Sequence, residues 1–232
     1  MMSATKNPQI GNTKVGEYPD EVCNVCGDSV SYEDNCILFC DKCNVPVHQF
    51  CYGLSNLPEA DEDWYCQVCA SGSASAARER CCVCGRPGGA FKRTVDGAWC
   101  HVACALWVPE LRILDDLALE GIDTSTLDPE RRTLKCLFCK DKKGGACIQC
   151  AHERCYAAFH PPCLLHHAAT PRAFHHARPA GDGRGGVLYE AFCPGKHADG
   201  ARYDGANPGM PPCVAYRPEH QKYFAQVEEE YE

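Results

Sequence analysis

The stretch Cys40-Asp-Lys-Cys43-Asn-Val-Pro-Val-His48-Gln-Phe-Cys51 lies at the centre of eight ordered metal-ligand candidates, with Cys23 and Cys26 before it and Cys66 and Cys69 after it. The spacing reads C-x2-C, x13, C-x2-C, x4, H-x2-C, x14, C-x2-C. Two intervening residues leave both sulfurs of a pair on one tight turn, so each pair grips a metal from one side only. Pairs must therefore meet to close a tetrahedron, and eight ligands make two closed zinc sites. If the pairs interleave, Cys23, Cys26, His48 and Cys51 hold one ion, and Cys40, Cys43, Cys66 and Cys69 hold the other.

The histidine is the fifth of the eight ligands, whereas a RING finger places its histidine fourth. Trp64 precedes Cys66 by two residues, and an apolar Ile37-Leu38-Phe39 run, expected as a short strand, leads into Cys40. Together these residues resemble a plant homeodomain (PHD) finger, a zinc module that reads histone tails. Trp64 is read as core packing beside the zinc, and Cys36, outside the ligand spacing, as a small buried strand residue.

The rest of the chain repeats the same chemistry. There are 21 cysteines in 232 residues, a density expected of metal-bound or cross-linked scaffolds. The C-x2-C and H-x2-C pairs point to zinc rather than disulfides, and so to a reducing compartment. The N-terminus has no apolar signal-like stretch, and no apolar run approaches a membrane span. Net charge is −8, and residues 1–70 carry all of that imbalance, with three basic residues against eleven acidic ones. An acidic module favours a basic peptide over a phosphate backbone.

Residues 1–17 are expected to be a disordered tail, with the first finger over 18–70 and a short Gly/Ser/Ala-rich linker over 71–80. Within 81–110, Cys81, Cys84, His101 and Cys104 make a single closed site, a zinc knuckle; a C-x-C alternative would use Cys82. Residues 111–132 carry no cysteine, and Asp128-Pro129-Glu130 reads as the cap and first turn of a short helix. Then follow Cys136, Cys139, Cys147, Cys150, Cys155, His160, Cys163, Cys193 and His197. By ligand order, Cys136, Cys139, His160 and Cys163 form one site and Cys150, Cys155, Cys193 and His197 the other.

Gly88-Gly89-Ala90 with His101-Val-Ala-Cys-Ala-Leu-Trp-Val-Pro-Glu110 resembles the knuckle of the PZP family (PHD finger, zinc knuckle, PHD finger). Gly145-Ala-Cys-Ile-Gln-Cys150 and Ala158-Phe-His-Pro-Pro-Cys163 resemble its extended second finger, over 111–200. In that family the position of Cys147 need not be cysteine, which makes Cys147 the spare. The closing pair, C-x3-H here, is usually C-x2-H. The insert between Cys163 and Cys193, with His166, His167, His175 and His176, is expected to be a mobile surface loop. A tail over 201–232 ends in an amphipathic helix from Pro218. The expected fold is small, zinc-stabilised α+β with little regular secondary structure and five structural zincs per chain.

Four-ligand sites leave no open metal position for hydrolysis, no catalytic fingerprint is found, and Cys36, Cys82, Cys100, Cys147 and Cys213 have no evident activating histidine. The chain therefore reads as a binding module and not an enzyme. The resemblance implies a nuclear reader of the histone H3 tail, within a chromatin-modifying complex. The tail would add a strand beside Ile37, Leu38 and Phe39, with Asp41 opposite its arginine and Asp20 or Glu21 opposite its lysine. Its amine would be held near Asp61–Trp64, which brings in Asp63. Asp41 reads equally as a capping residue of the zinc turn. Val45-Pro46-Val47 ahead of His48 supplies no aromatic for a methyl-lysine cage, so an unmodified lysine is expected. The alternatives are a ubiquitin-ligase-like zinc module, and DNA or nucleosome binding through a basic cluster of Arg131, Arg132, Lys135, Lys140, Lys142 and Lys143, which reads otherwise as a solvated face.

Overall fold

A computed structural model describes residues 22–33, 35–59, 61–73, 76–140, 145–167, 174–179 and 187–193. The expected terminal tails, Asp20, Glu21, His197, Cys213 and the helix from Pro218 lie outside these residues. Among the described residues, ten short strands form five antiparallel two-stranded ribbons. Three short α-helices and three 3-10 turns complete the regular structure. The fold is small zinc-stabilised α+β.

In the first unit β1 (Ile37–Phe39) pairs with β2 (Pro46–His48), and α1 (Gln67–Ala70) follows Cys66. The knuckle pairs β3 (Phe91–Arg93) with β4 (Trp99–His101), leading directly into α2 (Val102–Trp107). Residues 111–132 are more than a connector. They contain a hairpin of β5 (Arg112–Asp115) and β6 (Glu120–Asp123), and the Val95 N–H on the β3–β4 turn donates to the Ile122 carbonyl (2.9 Å). The short helix expected after Asp128 is a 3-10 turn over Pro129–Thr133, capped by the Asp128 carboxylate accepting from the Glu130 N–H (2.8 Å). The last unit holds β7 (Ile148–Gln149), β8 (Ala158–Phe159), α3 (Pro161–His167), β9 (Phe174–Pro179) and β10 (Val187–Phe192).

The insert between Cys163 and Cys193 corrects an expectation. Instead of a mobile loop, His166 and His167 end α3, and His175 and His176 lie in β9, paired with β10. The hairpin carries the chain back to the cluster it must complete: the Ala151 N–H donates to the Ala191 carbonyl (2.8 Å), and the Cys193 N–H reaches the Cys150 sulfur (3.4 Å).

The three units pack into one core, in which ligand cysteines supply much of the buried surface beside Val47, Val83, Phe91, Ile122, Phe159 and Leu164. Small modules bury too little apolar area to fold alone, and both metal sites and shared joints make good the shortfall. At the first joint the Tyr52 hydroxyl donates to the Phe91 carbonyl (2.7 Å) and accepts from the Gln67 N–H (2.9 Å). Lys92 is buried there, 3.3 Å from a Glu120 carboxylate oxygen and 4.5 Å above the Tyr52 ring. Burial pushes the Lys92 ammonium pKa down, against the pull of Glu120.

At the second joint the Ala146 N–H donates to the Val83 carbonyl (2.9 Å), and Gly145 lies so close to the Cys84 carbonyl that a Cβ has no room. Arg131 forks onto both Glu110 oxygens at 2.7 Å, and Arg132 donates to the Cys82 and Val83 carbonyls (2.9 and 3.2 Å). Both arginines of the basic cluster thus help to hold units together, Arg132 while remaining exposed. Lys135 and Lys140 are exposed, and 142–143 lie outside the described residues.

Candidate metal centres and binding edge

Four of the six C-x2-C pairs are tight turns built the same way. The N–H of the residue after the second cysteine donates to the carbonyl of the first: Gly27 to Cys23 (2.9 Å), Asn44 to Cys40 (2.7 Å), Gly85 to Cys81 (2.9 Å), Lys140 to Cys136 (3.1 Å). All four of these residues have a positive φ, between 53° and 77°. That backbone region suits glycine and is tolerated by asparagine, which explains three of the four residue choices. Lys140 is the exception.

These turns gather the donors. Cys23, Cys26, His48 and Cys51 come together, as do Cys40, Cys43, Cys66 and Cys69; Cys81, Cys84, His101 and Cys104; and Cys136, Cys139, His160 and Cys163. Cys150, Cys155 and Cys193 form a fifth group. Within each set all donor atoms lie within 4.8 Å of one another. Individual separations include 3.3 Å from Cys26 Sγ to His48 Nδ1, 3.6 Å from Cys43 Sγ to Cys66 Sγ and 3.5 Å from Cys139 Sγ to His160 Nδ1. A regular tetrahedron with zinc–sulfur bonds of ~2.3 Å has edges of about 3.8 Å, so the donor sets fit zinc. They are interleaved, with pairs distant in sequence meeting in space. Cys81 and not Cys82 joins the knuckle set. Cys147 joins none among the described residues: its sulfur sits 3.8 Å from the Leu134 and Gly145 carbonyls.

The surroundings orient the ligands. His48 turns Nδ1 to the sulfurs and donates from Nε2 to the Val30 carbonyl (2.7 Å), while His101 does the same to Gly88 (2.5 Å). Such outer contacts fix the tautomer and ring orientation of a metal ligand. Main-chain N–H groups of His48, His101 and Cys66 point at the sulfurs of Cys23, Cys81 and Cys40 (3.3, 3.4 and 3.3 Å), stabilising thiolate charge.

The thiols show why a cation is needed. Hydrogen bonds from Cys43 and Cys66 push Cys40 well below the usual thiol range, whereas those with Cys40 and Cys66 push Cys43 far up. Cys40 raises Cys66 to about 12. One thiolate is supported, but further ionisation is opposed by the charge already present. Burial depresses His48, yet bonds to Cys23 and Cys26 outweigh it and raise the imidazole to about 11. A proton there stands in for the positive charge that a divalent ion supplies.

The β1 edge is equally well defined. Cys40 donates to Val45 and Cys36 accepts from Gln49, so alternate residues of this strand face β2 and the intervening ones face outward. Of the outward amides, Ile37 donates to Ser31 Oγ (3.0 Å) and Asp41 to the Trp64 carbonyl (2.9 Å). Between them Phe39 turns its N–H and C=O away from β2. Cys36 sits one residue before the strand and is only partly buried. The Asp41 carboxylate accepts from the Trp64 N–H (2.7 Å), the capping arrangement, while remaining exposed. Asp61, Glu62 and Asp63 are exposed beside it, with Asp63 accepting from the Tyr65 hydroxyl (2.8 Å). Trp64 is partly buried and packs edge-on against Tyr52, ring centroids 5.5 Å apart. Val45, Pro46 and Val47 are buried.

The residue types of the sequence hid the carbonyl partners of the histidines and the Ser31 contact. The glycine or asparagine after three of the cysteine pairs was the available signal for the turns.

Comparison with known proteins places these features in a family. Residues 34–70 match the PHD-finger family, and residues 79–177 match a family described as PHD-zinc-finger like domain. The chain is 47% identical over 145 residues to a bromodomain-containing protein homolog of Drosophila melanogaster. It is 43% identical over 145 residues to bromodomain and PHD finger-containing protein 3 of Homo sapiens, and 43% identical over 155 residues to protein Jade-3 of Danio rerio. These matches cover 62%, 62% and 66% of the chain but only 10%, 12% and 19% of those relatives. The crystal structure of the zebrafish PHF14 PZP superposes with a TM-score of 0.56 at 24% identity, covering 89% of this chain and 97% of that one, which supports the fold. With its zinc-fitting donor groups and its units packed on shared joints, the chain carries a PHD finger–zinc knuckle–PHD finger module of the PZP type.

Proposed function

We propose that this chain is a nuclear chromatin reader that holds five zinc ions and binds the N-terminal tail of histone H3 through its first finger. Its setting is a chromatin-modifying complex. The observation that carries the reading is the β1 edge: Phe39 offers an outward N–H and C=O on a strand closed at one end by Trp64 and at the other by Ser31. A peptide added there gains main-chain hydrogen bonds for affinity and flanking side chains for register. Exposed Asp41 and Asp61–Asp63 surround one end of the edge, complementary to a basic tail.

Unmodified lysine fits this surface better than trimethyl-lysine. Val45–Val47 are buried and aliphatic, so the segment before His48 presents no aromatic face. A primary ammonium offers three donors to carboxylates, and each methyl removes one. Zinc ligation follows the five donor groups, with His197 as fourth ligand beside Cys150, Cys155 and Cys193. Four protein ligands per ion make each site structural.

The test is calorimetric titration of the zinc-loaded chain with four H3 peptides: unmodified N-terminal, lysine-trimethylated, N-acetylated, and one from the middle of the tail. The unmodified N-terminal peptide should bind tightest and the acetylated one least. Preference for the middle segment moves the site away from β1, and equal affinity for all four reduces the interaction to charge attraction.

A further inference from the structure

The loop that closes the Ile37 end of the β1 edge carries a chemistry of its own. Ser31 is exposed, between exposed Val30 and partly buried Tyr32. Asp28 fixes the loop with both carboxylate oxygens, one accepting from the Val30 N–H (3.0 Å) and the other from the Tyr32 hydroxyl (2.9 Å). Ser31 lies between these two anchored residues, where Oγ accepts from the outward Ile37 N–H and the hydroxyl proton meets no acceptor among the described residues. In sequence it is followed by Glu33 at the second and Asp34 at the third position. A kinase with a basic substrate cleft favours a hydroxyl followed closely by carboxylates. Ser29, with Ser31 and Tyr32 at the equivalent places, lacks that context.

We infer that Ser31 is a phosphorylation site for an acidophilic serine/threonine kinase, and that the phosphate tightens the capture of a basic tail on the β1 edge. The second half rests on the tail-reading proposal above. In the transfer, Ser31 Oγ bonds to the γ-phosphorus of ATP while the bond from that phosphorus to the β–γ bridging oxygen breaks. The hydroxyl proton passes to the kinase's base, and ADP leaves. The product carries nearly two negative charges at neutral pH and three acceptor oxygens. A tail whose amine lies near Trp64 runs antiparallel to β1, so its later basic residues pass Ile37 and Ser31. The phosphate meets them there, and charge-assisted bonds are the strong ones. Repulsion from Asp28 and Glu33 opposes the phosphate in the free protein, and a cationic tail relieves it.

The experiment uses the zinc-loaded full chain, ATP and a purified acidophilic kinase, with sites mapped by mass spectrometry. Ser31 should be the dominant site within residues 22–73, and Glu33→Gln should sharply reduce its labelling while zinc content stays unchanged. Labelling at Ser29, Ser71 or Ser73 with Ser31 untouched overturns the site. Phosphorylated and untreated protein are then titrated with the unmodified H3 N-terminal peptide. Phosphorylation should tighten binding roughly threefold to tenfold at low salt, and the gain should shrink at high salt. Equal or weaker binding by the phosphorylated form overturns the regulatory half. Failure of both forms to bind refutes the tail reading and this half with it, whereas the labelling result judges the Ser31 site independently.

Discussion

Gly145→Ala is the sharpest perturbation of the joint between the knuckle and the second finger. Gly145 does not need glycine for its φ, since its backbone lies outside the left-handed region. It needs glycine for space: an added Cβ would overlap the Cys84 carbonyl and lie 2.8 Å from His160 Nε2. Neither obstacle is the flexible end of a side chain, because Cys84 and His160 belong to two different donor sets. The chain must back away, and the adjoining bond from Ala146 N–H to the Val83 carbonyl (2.9 Å) goes with it. Overpacking costs about 1–3 kcal/mol and the lost hydrogen bond about 0.5–1.5 kcal/mol, so the variant should lose roughly 2–4 kcal/mol.

The assay is denaturant unfolding at saturating zinc, with Gly72→Ala as the control. Gly72 has φ of +77° and nothing within 4 Å of the point where an alanine methyl would stand, so that change carries only left-handed strain, about 1 kcal/mol. Gly145→Ala should be the more damaging substitution, and competition with a graded chelator should release zinc from it sooner. A Gly145→Ala protein within ~0.5 kcal/mol of the parent, the range of an ordinary surface change, would refute the close approach of these two units.

Elemental analysis should find five zinc ions per chain; Cys147→Ser should leave the count unchanged and Cys150→Ser should lower it by one, because only Cys150 sits in a donor set. Lys140→Gly should stabilise by about 0.5 kcal/mol, since lysine holds a φ of 53° there that glycine adopts without a Cβ penalty; a destabilised variant in denaturant melts would contradict the turn geometry. Arg131→Lys should cost about 1–2 kcal/mol, because a lysine cannot fork onto both Glu110 oxygens; an unchanged midpoint would count the pair as a surface contact. Chelation should abolish cooperative unfolding followed by circular dichroism, because the metal's binding energy is folding energy; a cooperative apo transition would contradict this.

The donor sets were legible because their spacing is a geometric statement. Two cysteines three apart share a turn, and the order of four such elements decides which pairs can meet. Trp107, within the knuckle motif, is buried against Tyr189 at 5.2 Å. The joints were not legible. Cys82, Val83, Cys84 and Phe91 take part in them through backbone carbonyls, which carry no residue signature. The arginines of the basic cluster read as solvated or DNA-facing charge, because nothing local reveals that Glu110, twenty-one positions away, is the partner of Arg131. The β9–β10 hairpin was obscured by composition: histidine, arginine and alanine do not advertise a strand, and pairing with Val187–Phe192 overrode weak local preference.

The proposed binding edge is tied to the core by a short run of contacts. Asp41 and Trp64 exchange hydrogen bonds at one end of β1, with the Asp41 N–H donating to the Trp64 carbonyl and its carboxylate accepting from the Trp64 N–H. The Trp64 ring stands edge-on to Tyr52, at an interplanar angle of 89°. Tyr52 in turn donates to the Phe91 carbonyl on β3 and supports Lys92 across its ring face. The acidic end of the edge is therefore braced from behind by the knuckle, through the buried Tyr52 and Lys92 side chains. A lone first finger retains its own two donor sets but loses that brace. This accounts for the placement of the Tyr52 hydroxyl, buried and doubly hydrogen-bonded, at the joint and not at the surface. It also accounts for Lys92, a buried cation whose desolvation is tolerable only because Glu120 from the β5–β6 hairpin and the Tyr52 ring meet it from opposite units. The three units need one another for packing, and the edge that the first presents is shaped by what the second holds in place.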